Sequence, residues 1–131
     1  MKTLIVEDNF VNRLILQKFL NTYGATHIAV NGKEAIEAVL LALNADEPYD
    51  LICMDVLMPE MDGMTALRHI RELEVEKGMD PKAGCKIIMT TSVDDTKNIA
   101  AAIEDGCDSY MIKPLSMPKL LWELRSFGLV A

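Results

Sequence analysis

Five short apolar runs alternate with five stretches whose apolar residues recur at helical spacing, and this alternation leaves the chain very few folds. The runs cover residues 3–6 (TLIV), 26–30, 51–54 (LICM, ended by Asp55), 86–91 (KIIMTT) and 109–112. Apolar runs without alternation suit strands covered on both faces, and the second, more polar run suits an edge. A strand followed by a helix, five times over with short connections, implies a parallel sheet with helices on both faces and right-handed crossovers. The expected fold is α/β: a doubly wound, flavodoxin-like (βα)5 domain with a five-stranded parallel sheet in strand order 2-1-3-4-5. Its 131 residues are one domain of ordinary size. No repeat or second domain is visible, and a single domain without an output module is expected.

The helical stretches have readable ends. The first starts at Phe10, after Asp8 and Asn9, either of which can cap it, and Gly24 stops it. Its expected core face is Val11, Leu14, Ile15, Phe19 and Tyr23, with Asn12, Arg13, Gln17 and Lys18 wet. Asn31-Gly32 turns the chain into a second helix over 33–44, with Ala35, Ile36, Val39, Leu40 and Leu43 inward. A third, from Gly63 to near Lys77, buries Met64, Leu67, Ile70 and Leu73. Asp94-Asp95 can start a fourth, whose Ile99, Ala102 and Ile103 make a thin stripe before Gly106. The fifth starts near Met117-Pro118, with proline suited to a first turn, and turns Leu120, Leu121, Leu124 and Phe127 to the core.

Polar chemistry gathers at one edge of this sheet. The first strand ends at Glu7-Asp8, the third at Asp55, the fourth at Thr91-Ser92 and the fifth at Lys113. After Asp55 the loop VLMPEMDG breaks the pattern with Pro59 and Gly63. In a doubly wound sheet the carboxyl ends of the first and third strands share a crevice at the switch point. Three carboxylates there repel one another, and a hard divalent cation with oxygen ligands and spare water positions, Mg²⁺, resolves the conflict. Lys113 adds a fixed positive charge. A carboxylate beside such a metal is a nucleophile for phosphoryl groups, with Lys113 neutralising phosphoryl oxygens and the Thr91 hydroxyl donating to another. The expected product is an aspartyl phosphate on Asp55.

These fragments together resemble the receiver domain of two-component response regulators (CheY-like) over essentially the whole chain. The matching residues are Glu7-Asp8, the motif DVLMPEMDG from Asp55, Thr91, and YMIKP ending in Lys113-Pro114. The stretch EDNFVNR, residues 7–13, is similar to receivers of hybrid kinases and of stand-alone regulators. The resemblance implies that Glu7, Asp8, Asp55 and the backbone carbonyl of Leu57 hold Mg²⁺. It implies that Asp55 accepts phosphate from a histidine kinase or phosphotransfer protein. Thr91 and Tyr110 would form a switch that reshapes the face of the fourth helix, fifth strand and fifth helix for a downstream protein. The Lys113-Pro114 bond would be cis, and the apolar Leu57 and Val93 would flank the site and hinder attacking water. Two positions depart from the family's habit: Ser92 follows Thr91 where Ala or Gly is usual, and Leu115 follows Pro114 where Phe is common.

Plainer readings stand beside these. Glu7-Asp8 could serve only as a cap facing the following helix dipole, and Tyr110 could be a packed aromatic. His27 and His69 have no partner motif. Trp122 lies off the leucine stripe, which fits either a partner surface or edge packing. The methionines around the Asp55 loop fit core filling. A formal net charge of −7 disfavours a nucleic-acid surface. Cys53, Cys85 and Cys107, an odd number with no close pair, read as buried thiols in a reducing compartment. No signal peptide opens the chain, and the apolar run 38–43 is too short to span a membrane, so a cytoplasmic location is expected. A flavin-binding relative of the fold would need a glycine- and hydroxyl-rich phosphate loop where Glu7-Asp8-Asn9 stands. A metal-dependent aspartyl-phosphate phosphatase or phosphotransferase is the alternative function, but Leu57 stands where its second carboxylate would be. The expectation is a signalling switch, not an enzyme that turns over an external substrate.

Overall fold

A computed structural model describes residues 1–80, 83–92 and 97–131. Five strands, β1 (Thr3–Val6), β2 (Thr26–Ala29), β3 (Leu51–Asp55), β4 (Lys86–Thr91) and β5 (Ser109–Ile112), form one sheet in the order β2-β1-β3-β4-β5. Every pairing is parallel. The helices are α1 (Phe10–Leu20), α2 (Gly32–Asn44), α3 (Gly63–Glu76), α4 (Ile99–Glu104) and α5 (Met117–Ser126). The expected doubly wound fold and its strand order are therefore observed.

Successive strand residues feed opposite faces, as a pleated strand requires. Leu4, Val6, Ile52, Met54, Ile87 and Met89 pack with α2, α3 and Ala102 of α4. Ile5, Leu51, Cys53, Ile88 and Met111 pack with α1 and α5 through Leu16, Leu20, Leu120 and Leu124. The strand residues of both cores are almost wholly buried, which accounts for runs that read apolar without alternation.

The α1 expectation needs correction. Leu16 and Leu20, not Val11, Leu14 and Ile15, form its buried face. Phe10, Val11, Leu14 and Ile15 remain 65%, 60%, 40% and 47% exposed. The helix carries apolar residues on two opposite sides, and the periodicity alone could not choose between them. Phe19 and Tyr23 are half-buried, with their rings 5.5 Å apart. In α2, Ala42 is buried, whereas Leu40, expected inward, is partly exposed. The expected start of the fourth helix at Asp94-Asp95 lies outside the described residues. Among the described residues no helix is long and apolar enough to cross a membrane.

Capping sets the helix starts at the sheet's carboxyl edge. The side chains of Asn9, Asn31 and Asp62 accept hydrogen bonds from the amides of Asn12, Glu34 and Thr65. Asn9 is thus the cap of α1, and Asp8 is released for other work. Gly63 opens α3 hard against the end of β3. A Cβ there would lie 2.1 Å from the Asp55 carbonyl oxygen, so only glycine permits the approach.

Candidate functional site

Strand register brings the predicted residues together. Val6 pairs with Met54, so Glu7 and Asp55 leave adjacent strands side by side. Asp55 pairs with Thr90, which places Thr91 one step further along the next strand. Thr91 pairs with Ile112, immediately before Lys113, and the Lys113 amide donates to the Thr91 carbonyl at 2.6 Å. The Lys113-Pro114 peptide bond is cis.

Lys113 bridges the two buried acids. Its Nζ donates to Asp55 Oδ2 at 2.9 Å and lies 3.1 Å from Glu7 Oε2 and 3.4 Å from Glu7 Oε1. Asp55 is 6% exposed and Glu7 only 1%. Asp55 Oδ1 also accepts the Leu57 amide at 3.2 Å, and Glu7 Oε1 accepts the Asn9 amide at 3.2 Å. Burial, followed by the negative charge of Asp55, raises the Glu7 pKa against the pull of Lys113. Burial alone would lower the Lys113 pKa, but Asp55 and then Glu7 outweigh it and leave the ammonium above its ordinary value.

One ammonium faces three carboxylates, because Asp8 joins the group from the exposed side. One oxygen each from Glu7, Asp8 and Asp55 lies within 4.8 Å of the others. Glu7 Oε2 is buried and accepts no hydrogen bond, although Nζ is near enough to form an ion pair with it. A buried carboxylate oxygen left in that condition is costly unless a cation completes it. Three hard oxygen donors around an excess of negative charge fit a small divalent cation such as Mg²⁺.

The remaining expected residues are placed as follows. Thr91 is buried, and its hydroxyl donates to the Ser92 carbonyl at 3.3 Å. Tyr110 is half-buried against the core shared with α2 and α3. Leu57 projects outward beside Asp55 and is largely exposed. Val93 lies outside the described residues. Leu115 is partly buried and packs against the core beneath α5. Of the plainer candidates, His27 Nδ1 pairs with the Tyr49 hydroxyl at 2.7 Å, His69 is exposed and Trp122 stands largely exposed on α5. The sequence reading missed a tie between this site and the turn ahead of α2. Gly32 N–H donates to the Met61 carbonyl at 3.3 Å, and Asn31 Nδ2 to Glu60 Oε2 at 3.4 Å. Asn31-Gly32 read only as a turn, and nothing in the local pattern named its partner.

A sequence profile for the response regulator receiver domain matches residues 3–125. The chain belongs to the receiver-domain family. It is 34% identical over 129 residues to the osmosensing histidine protein kinase SLN1 of Saccharomyces cerevisiae, a match covering 97% of this chain but 10% of the kinase. The chain therefore spans about a tenth of the length of that relative. Among solved structures, it is similar to a chain in the co-crystal structure of the Saccharomyces cerevisiae histidine phosphotransfer signalling protein Ypd1 and the receiver domain of its downstream response regulator Ssk1. That match has a TM-score of 0.83 and 29% identity, covering 98% of this chain and 88% of the other. The receiver domain of the histidine kinase CKI1 from Arabidopsis thaliana, complexed with Mg²⁺ and BeF₃⁻, matches with a TM-score of 0.79 and 31% identity. It covers 95% of this receiver and 89% of that chain.

Proposed function

We propose that this receiver is a phosphorylation-activated switch in which Asp55 takes a phosphoryl group from a histidine kinase or histidine phosphotransfer protein. The observation that carries the reading is Asp55 at the end of a buried strand, held by Lys113 and flanked by Glu7 and Asp8. Glu7, Asp8, Asp55 and the Leu57 carbonyl would hold Mg²⁺, the ion in the CKI1 receiver complex. When bound, the ion supplies positive charge for the phosphoryl oxygens. An Asp55 carboxylate oxygen attacks phosphorus, the P–N bond to the donor imidazole breaks, and an acyl phosphate remains on Asp55. Lys113 stabilises the added charge, and Thr91 turns its hydroxyl toward the phosphoryl group. Tyr110 follows, and the face of α4, β5 and α5 changes shape for a downstream protein. Exposed Ile103, Ile112 and Trp122 on those elements supply its apolar contact.

The donor's docking surface is the exposed stripe Phe10, Val11, Leu14 and Ile15. It begins three residues beyond Glu7, so a protein seated on it reaches Asp55. The co-crystal of Ypd1 with the Ssk1 receiver supports a phosphotransfer protein as that partner. This partner class fits a cytoplasmic location. The competing phosphatase or phosphotransferase reading finds only apolar, outward Leu57 where a second acid–base group would be needed. The test is intact mass after incubation with acetyl phosphate and Mg²⁺. The protein should gain about 80 Da, the mass of one phosphoryl group, and Asp55→Asn should gain nothing. No adduct on the wild type would end the reading.

A further inference from the structure

The loop between Asp55 and Gly63 is fixed at more than its two ends. Its base is closed by Gly63 N–H donating to the Val56 carbonyl at 2.8 Å. At its outer end Met61 N–H donates to the Pro59 carbonyl at 2.8 Å, an i to i+2 bond, with Glu60 between them at φ +66°. A three-residue turn with a non-glycine centre at positive φ is rare and strained, and it persists only where its surroundings hold it.

The holder is the turn ahead of α2. Asn31 is buried, and its Oδ1 is committed to the Glu34 amide at 2.8 Å. Glu34 Oε1 accepts the amide of Val30, the residue before the cap, at 3.0 Å, which ties the turn back onto the first turn of α2. With Oδ1 engaged, Nδ2 is left to donate to Glu60 Oε2 at 3.4 Å, a long bond to an exposed carboxylate that works together with the backbone bond beside it. Beside it, Gly32 donates to Met61. A Cβ on Gly32 would lie 2.8 Å from that same Met61 carbonyl oxygen, so glycine is what lets the two backbones meet. Between the closed base and this tie lie Leu57, Met58 and Pro59.

We infer that Asn31 and Glu60 are positioning residues: they hold the loop so that the Leu57 carbonyl is presented to the cation site of Glu7, Asp8 and Asp55. The inference rests on the proposed Mg²⁺ site and adds to it a contact from outside the strand ends. Groups that orient a metal ligand without touching the metal affect affinity directly.

The test is Mg²⁺ affinity by titration calorimetry on the whole chain, with thermal melting in parallel, for Glu60→Gly, Glu60→Gln and Asn31→Ser. Glu60→Gly should weaken Mg²⁺ binding about tenfold, the lower end for loss of an orienting group. It should nevertheless melt at or above the wild-type temperature, because glycine accepts positive φ. A merely structural role would not separate the two readouts in that way. Asn31→Ser keeps a side-chain oxygen for the cap but cannot reach Glu60, and it should lose affinity similarly. Glu60→Gln keeps an acceptor oxygen and should stay within about twofold of wild type, well inside the loss expected for the tie. Wild-type affinity in both Glu60→Gly and Asn31→Ser overturns the inference. So does an equal loss in Glu60→Gln, which would assign the effect to charge. Failure of the wild type itself to bind Mg²⁺ would instead bring down the proposed function.

Discussion

Replacing Arg71 with methionine should unfold the domain far more readily while leaving the phosphorylation chemistry in place. Arg71 sits on α3 and ties the amino ends of β4 and β5, the edge of the sheet opposite Asp55. Its Nε and Nη2 donate to the Gly106 carbonyl at 2.9 and 2.8 Å, and Nη1 donates to the Cys85 carbonyl at 2.9 Å. It pairs with Glu74 at 2.7 Å and Asp108 at 2.9 Å. Glu74 is buried and also accepts the Cys85 amide at 2.8 Å. Asp108 is more open and adds little beyond its bond to the Ile87 amide. Methionine matches the length of the stem but strands the Glu74 charge and two carbonyls. Loss of one partner of a buried pair costs about 3–5 kcal/mol, a large share of the roughly 5–15 kcal/mol that holds a domain folded. Adding Glu74→Gln removes the stranded charge yet keeps an acceptor for the Cys85 amide. It should return about 2 kcal/mol, within the coupling range for contacting residues. Urea unfolding followed by far-UV circular dichroism measures both. A single-mutant loss below about 1 kcal/mol, the value of an exposed pair, would refute the reasoning, as would a double mutant no more stable than Arg71→Met.

Four further outcomes are expected. Gly63→Ala drives a methyl against the Asp55 carbonyl, and the overpacking should cost about 3 kcal/mol, the upper end for such changes, together with slower phosphorylation from acetyl phosphate. Val11→Asp should slow transfer from a phosphotransfer protein at least about tenfold, the loss expected when a charge enters an apolar contact centre, while leaving phosphorylation by acetyl phosphate unchanged. Leu57→Asn should shorten the life of phosphorylated Asp55, read by the decay of the mass adduct, because it replaces an apolar guard with a group that can position water. Burial pushes the Cys53 thiol up to about 12 and, with Asp108, the Cys107 thiol up to about 11, while burial and then Glu74 raise Cys85. The thiolate fraction therefore stays low at pH 8 and rises with pH, so iodoacetamide should leave the native protein unmodified and label all of these cysteines in urea.

Much of the fold could be read because the two sides of the sheet demand the same thing of the strands. Ile52 and Cys53 face opposite layers, and both must be apolar, so the run needs no alternation and its count gives the topology. Helices give weaker instruction where both faces are apolar. In α1 the residues between Phe10 and Leu20 offer two stripes, and tertiary packing chose Leu16 and Leu20. The choice left the other stripe exposed, the surface proposed above for the phosphoryl donor. In α2 the buried face runs through Ala35, Val39 and Ala42, which leaves Leu40, one residue beyond Val39, at its exposed margin. Arg71 and Glu74 were hidden for the opposite reason. An arginine and a glutamate three apart on a helix look like a solvated pair, and only the fold carries the backbone of Cys85 and Gly106 to meet them.

The site was legible to the extent that its chemistry sits at strand ends. Glu7, Asp55 and Lys113 each follow a buried run directly, so topology alone joins them, and charge balance then calls for a cation. The tie through Asn31 and Glu60 obeys a different rule. Its two halves are a turn and a loop separated by 29 positions, and each has an ordinary local explanation. Asn31 is a cap, Gly32 a turn residue, and Glu60 an exposed acid. What marks them as connected is that Glu60 holds a positive φ that its side chain does not favour. Such conflict between local preference and observed backbone is invisible in a sequence, and it concentrates where a protein must hold one geometry against others.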